Sequence, residues 1–165
     1  MLSTGPEHKG NHMETNEMMA EECHAFLERA SIGRLGCSFE NQPYVVPIYF
    51  AYNSGYLYAF STLGQKVKWM RANPKVCVQM DEIQNQSEWG SVIVNGEYEE
   101  LPEPQHTAER KHASSVLAKQ YHWWLNALGE RQMRVGGKAI EPLFFRIRIQ
   151  CMTGLRATDE KEKPS

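Results

Sequence analysis

Apolar and polar residues alternate in short runs along most of this chain, the spacing that β-strands require. Residues 31–39 carry Ile32, Leu35, Cys37 and Phe39, with Gly33 and Gly36 supplying the bends of a small barrel. Residues 44–52 are apolar on both alternating faces, Tyr44, Val46, Ile48 and Phe50 on one and Val45, Pro47, Tyr49 and Ala51 on the other. That pattern predicts a sheet covered on both sides or curled into a barrel. Residues 56–61 form the next strand, joined to the first as a hairpin through Asn53-Ser54-Gly55. Pro47 has no amide to donate to a ladder, so the sheet is expected to open there. Residues 75–82 alternate Val76, Val78 and Met80 against Cys77, Gln79 and Asp81, and residues 89–101 alternate through Val92, Val94, Gly96 and Tyr98. A closing strand, 143–151, sets Phe145, Ile147 and Ile149 against Arg146, Arg148 and Gln150, so one of its faces is wet.

Helical spacing replaces alternation in three places. Residues 17–30 present Met19, Cys23, Phe26 and Ala30 on one face, which is expected to lid one end of the barrel. After residue 61, Thr62 and Gln65 have the spacing of a capping box, and Leu63, Val67 and Met70 give a buried stripe. Lys68 and Arg71 suit the C-terminal dipole of that helix, and Asn73-Pro74 stops it. Residues 102–128 form the longest helical segment, ending at Gly129. Residues 1–16 read as a disordered leader and 157–165 as a disordered tail, leaving one domain over 17–156. The fold class is mainly β with flanking α-helices, a closed or split antiparallel barrel.

Composition narrows the function. A length of 165 residues with 41% hydrophobic and 23% charged residues suits one domain with a sizeable core. A net charge of −2 argues against a broad nucleic-acid or anionic-membrane surface, so any anion must be bound locally. The four cysteines are far apart with no C-x-x-C pairing, which points to neither a zinc site nor a disulfide scaffold. Without a long apolar run or a signal-peptide pattern the expected location is cytoplasmic. P-loop, Rossmann and nucleophile-elbow motifs are absent. His8 and His12, and the Glu109-x-x-His112 match, have metal-like spacings but no partner ligands in the pattern, so both read as solvated positions.

One stretch carries specific chemistry. The hydroxyls of Ser61 and Thr62, the free amides of a helix start and the Lys66 ammonium can converge on one point, a combination that binds anions and suits a phosphate dianion. The alternative is that Ser61 and Thr62 are ordinary caps and Lys66 a surface lysine. Tyr121, Trp123, Trp124 and Leu125 put too many large side chains into five positions for one helix face, so some must meet a partner subunit or a ligand.

The ordered runs GRLGC, PYVVPIYFAY, GYLYAFS, GQKVKWMRANPKVCVQMDE, W-G-SVIVNGEYEEL and FRIRI-x-x-x-TG resemble the FMN-binding split-barrel family, in the branch related to pyridoxamine-phosphate oxidase that includes the nitroimidazole-resistance proteins. The resemblance spans about residues 17–156 and implies an antiparallel, Greek-key-like split barrel. It implies an FMN whose isoalloxazine lies against the backbone of Val45, Val46, Pro47 and Ile48. The phosphate would be held by Phe60, Ser61, Thr62 and Lys66. A homodimer is implied, in which the partner's Trp89 and Ser91 close over the flavin. Two departures stand out. Pyridoxamine-phosphate oxidases carry an Arg-x-His pair near the C-terminus, and the matching strand here has no histidine, which argues against vitamin oxidation. Some nitroimidazole-resistance members place a histidine where this chain has Phe60-Ser61, which argues against the same activity. Two functions are implied: an oxidoreductase that reduces a small acceptor with electrons from NADPH or NADH, or a non-catalytic binder of FMN or haem.

Overall fold

Phe50 decides the topology. The apolar run 44–52 is not one strand, because its two halves pair with different partners on either side of this residue. In the computed structural model, which describes residues 13–120 and 142–159, β1 is Met13–Glu17, α1 Ala20–Arg29, β2 Ile32–Phe39, β3 Gln42–Tyr49 and β4 Ala51–Asn53. Then follow β5 Tyr56–Ser61, α2 Gln65–Ala72, β6 Lys75–Ile83, β7 Trp89–Glu100, α3 Thr107–Gln120 and β8 Leu143–Asp159. The strand order is β3-β2-β6-β7-β8-β5-β4, with β1 added on β8, and every pairing is antiparallel. β3 and β4 therefore lie at opposite ends of the strand order yet are separated in the chain by Phe50 alone. The sheet has to curl until its ends meet at that residue, which is the split barrel expected from the resemblance. Phe50 is fully buried, and its amide donates to the Ser31 carbonyl at 3.1 Å.

Two tight turns set the register. Glu40 and Asn41, both with positive φ, join Phe39 to its partner Gln42. Ser54 and Gly55, also both positive, join Asn53 to Tyr56. The second hairpin thus turns on two residues where the pattern predicts three, because paired positive-φ residues match the twist of the flanking strands.

The main core fills the barrel, with Leu35, Phe50, Leu57, Val78, Phe145 and Ile147 fully buried. A second cluster, Ala51, Tyr58, Leu101, Ala113 and Leu117, lies between the outside of the sheet and α3. None of the described helices is long and apolar enough to cross a membrane.

Several expectations change in detail. α1 buries Cys23, Phe26 and Leu27, while Met19 is 68% exposed. Met19 is the extended residue before the helix and does not share its face. Residues 13–16, read as leader, and 157–159, read as tail, are strand: Met13 pairs with Asp159 and Glu17 with Leu155. Alternation missed them because backbone groups alone make this pairing, with every side chain of β1 exposed. α3 starts at Thr107 rather than at residue 102. The aromatic run 121–125 and the end of the segment read as helix lie outside the described residues.

The only register shift between β7 and β8 falls at Asn95/Gly96. A methyl group on Gly96 would strike the Arg148 carbonyl oxygen and come within 2.8 Å of Ile147 Cγ2. Gly96→Ala is therefore expected to lower the unfolding free energy by roughly 1–3 kcal/mol, read as a shifted urea midpoint with unchanged slope.

Candidate functional site

Where the strand changes partner at Phe50, β3 and β5 diverge and leave a cavity of 210 Å³ lined by Pro47, Ile48, Tyr49, Phe60, Ser61, Thr62 and Lys66. Each lining group arrives by a different route. β3 pairs only with β2, so its other edge is open and tolerates Pro47. Ser61 ends β5 as the one buried polar side chain among the described residues, with its Oγ donating to the Thr62 carbonyl at 3.0 Å. Lys66 is the second residue of α2.

The start of α2 departs from the expected capping box. The residue before the helix is Gly64, in extended conformation, and no side chain caps the first turn. Leu63, expected in the buried stripe, is 60% exposed, whereas Val67 and Met70 are buried. A Gly cap shifts the helix start two residues beyond Thr62, so Leu63 precedes the helix instead of sharing its face. The amides of the first turn are thus uncapped beside the cavity, with the positive end of the helix dipole behind them.

Lys66 is half-buried, and burial pushes its ammonium below the ordinary lysine range, opposed by the nearby Cys37 thiol. No carboxylate among the described residues pairs with it. A desolvated cation with no counter-charge among the described residues, next to uncapped amides and two hydroxyls, has the chemistry to hold an anion.

The rest of α2 is held firmly. Arg71 donates to both oxygens of Glu100, at 2.8 and 2.6 Å, and the Tyr98 hydroxyl donates to the same carboxylate at 3.0 Å. The Arg71 hydrogen bond holds the Glu100 carboxyl below the usual range. Burial and this carboxylate push the Tyr98 phenol well above its own. Trp69 packs edge-on against Tyr44, with centroids 5.5 Å apart.

Six of the ten predicted site residues therefore meet: Pro47, Ile48, Phe60, Ser61, Thr62 and Lys66. Val45 and Val46 continue along β3, Val45 being 64% exposed over a neighbouring depression of 510 Å³ and Val46 packing on the core. Trp89 and Ser91 are not brought to this cavity by their own chain, because β2 and β6 lie between β3 and β7. Trp89 borders a separate cavity of 330 Å³ with Phe26, Arg29 and Arg156. Ser91 Oγ accepts from Gln79 Nε2 at 3.1 Å. His112 of the E-x-x-H match is engaged by Asn53 Oδ1 at 3.1 Å and the Tyr58 ring.

Sequence reasoning left one lining residue out of the site and passed over a charged neighbour of it. Tyr49 lines the cavity, although the pattern showed it only as one more apolar position. Arg34 stands opposite Pro47 in the β2/β3 register, ion-paired to Asp81 and donating to Gln79 Oε1 at 3.2 Å. Its signal was a charge at an outward position of a mostly apolar strand.

On the outside of β2, β3, β6, β7 and the end of β8, the aliphatic side chains Ile32, Val45, Ile83, Ile93 and Leu155 are 41–70% exposed among the described residues, interspersed with polar positions such as Arg34, Gln79, Asp81 and Ser91. α3 shields only the region around β4, β5 and the start of β8.

Residues 19–156 match the pyridoxamine 5'-phosphate oxidase family. The crystal structure of a FAD-binding protein from Mesorhizobium loti is 43% identical, superposes with a TM-score of 0.71 and covers 90% of this chain and 100% of that one. A candidate 5-nitroimidazole antibiotic resistance protein from Bacteroides thetaiotaomicron superposes with a TM-score of 0.66 at 20% identity, covering 94% and 96% of the two chains. The haem storage protein of Vibrio cholerae does so with a TM-score of 0.63 at 12% identity, covering 81% and 92%. At those lower identities the likeness is one of fold.

Proposed function

This chain belongs to the pyridoxamine 5'-phosphate oxidase family, and from that premise we propose that it binds FMN as a homodimer and passes electrons from a nicotinamide donor to a small acceptor. The observation that carries the reading is the cavity at Lys66, where a half-buried cation with no carboxylate partner among the described residues, Ser61, Thr62 and uncapped helix amides suit a terminal phosphate. The exposed apolar backbone of β3 offers Val45, Val46, Pro47 and Ile48 as a flat wall for an isoalloxazine. When bound, the flavin supplies the two-electron chemistry that no side chain of this site provides. The chain's own work is to hold the phosphate, present the wall and exclude water.

Dimerisation is supported by the uncovered face of the sheet. Five exposed aliphatic side chains lie on this face, and a second copy packed on it would cover them symmetrically. The same packing would bring Trp89 and Ser91 of one copy toward the cavity of the other.

The test is the absorption spectrum of the purified protein, followed by identification of the chromophore released on denaturation. A flavin band and release of FMN rather than FAD are expected, because the anion site suits a phosphate at the end of the ligand. Stoichiometric haem, or no uptake of added FMN, would overturn the reading. Anaerobic addition of NADPH or NADH then separates an enzyme, whose yellow band bleaches at useful rates, from a non-catalytic flavin carrier. The carrier is the second reading, favoured by a cavity whose only cation is committed to the phosphate and which contains no carboxylate or histidine.

A further inference from the structure

We propose that Arg34 sets the reduction potential of the flavin, an inference that rests on the reading above of FMN along β3. On the outward face of β2 and β3 the paired positions are Ile32 with Tyr49, Arg34 with Pro47, Gly36 with Val45 and Ser38 with Pro43. Arg34 is the only charged side chain among them, and directly paired strand positions bring side chains to within about 5 Å at Cβ. It therefore stands beside the middle of the wall assigned to the ring.

The guanidinium is held in place. Nη1 is ion-paired to Asp81 Oδ1 and donates to Gln79 Oε1 at 3.2 Å. Gln79 Nε2 in turn donates to Asp81 Oδ1 at 3.2 Å and to Ser91 Oγ at 3.1 Å. Asp81 is 18% exposed at its side chain and Arg34 56%, so the anchor is the less exposed partner while the cation meets solvent. Nε and Nη2 make no hydrogen bond to any described residue. A restrained arginine with free donors on an apolar wall suits a ligand whose charge becomes more negative on that wall. Flavin reduction meets that condition: hydride from a nicotinamide carries two electrons and one proton to the neutral ring, leaves the donor oxidised and the ring with one negative charge. A cation nearby favours the product over the oxidised form, and Asp81 tempers the effect.

The experiment is a reductive titration of FMN-loaded protein against a reference dye, with Arg34→Gln, Arg34→Lys and Asp81→Asn beside the wild type. Arg34→Gln is expected to weaken binding of reduced FMN roughly tenfold relative to oxidised FMN, which lowers the two-electron potential by about 30 mV. Arg34→Lys recovers most of the shift. Asp81→Asn removes the tempering charge and moves the potential upward. Opposite signs at the two ends of one ion pair cannot come from simple loss of structure. A folded, flavin-loaded Arg34→Gln with an unchanged potential overturns the proposal, as does a downward shift in Asp81→Asn, which also decides the matter if Arg34→Gln does not fold. Wild type that takes up no FMN defeats the flavin reading and this inference together, whereas normal FMN uptake with unmoved potentials defeats only this one.

Discussion

Lys66→Ala is expected to weaken FMN binding by roughly tenfold to 150-fold while leaving riboflavin binding and the stability of the apoprotein nearly unchanged. The lysine is half-buried at the first turn of α2, faces the cavity and has no carboxylate partner among the described residues. Its loss removes a charge-assisted hydrogen bond to a dianion, worth about 1.5–3 kcal/mol, and that range converts to the stated loss of affinity. Stability is expected to hold within about 0.5 kcal/mol, because alanine is an excellent helix former and no hydrogen bond or ion pair to a described residue is broken. Riboflavin lacks the phosphate and serves as the control. Quenching of flavin fluorescence measures both affinities. Equal FMN affinities for mutant and wild type would return Lys66 to an ordinary surface role and remove the support for a phosphate at this cavity.

If the proposed homodimer forms through this face, Ile93→Glu is expected to convert it to a monomer at micromolar concentration and to weaken FMN binding with it. Ile93 projects from the outside of β7, between Gln79 of β6 and Thr153 of β8, and is 41% exposed in the single chain. A glutamate there costs the isolated chain little, since the position already meets water. In a symmetric interface it appears twice on facing surfaces and must be desolvated without a partner, a penalty of about 3–5 kcal/mol, or roughly a hundredfold to several thousandfold in dimer dissociation. Light scattering reads the mass against the 19.0 kDa of one chain. A dimer that survives the substitution, or a wild type that is already monomeric with FMN bound, would place the interface elsewhere or remove it.

Local patterns made most of the secondary structure legible. Alternation located the strands around Leu35, Leu57, Val78, Val94 and Ile147, because each has one side in the barrel and one outside. Pro47 was readable as an edge position because it lacks a donor whatever its surroundings. That Ser61 and Lys66 would meet at one cavity was readable because a hydroxyl, a cation and a helix start lie within six residues. The cap was misplaced from Gly64 to Thr62, since a glycine cap has no side-chain signal. The strand β1 was missed because its pairing is made by backbone groups under wholly exposed side chains.

By itself, then, the sequence determined where most of the strands lie, that hairpins join them and the chemical character of the β5–α2 junction, all of which depend on residues a few positions apart. Only the tertiary structure decided that the strand through Phe50 changes partners there, since alternation runs unbroken across that residue. That change closes the barrel and carries Pro47 and Ile48 to Ser61 and Lys66. The tertiary structure also decided that Arg34 lies beside Pro47 and reaches Ser91 through Gln79 and Asp81. The reason is register: which residues face each other across strands is fixed by long-range pairing, and a slip of one residue would turn Arg34 to the other side of the sheet with no change in its own sequence.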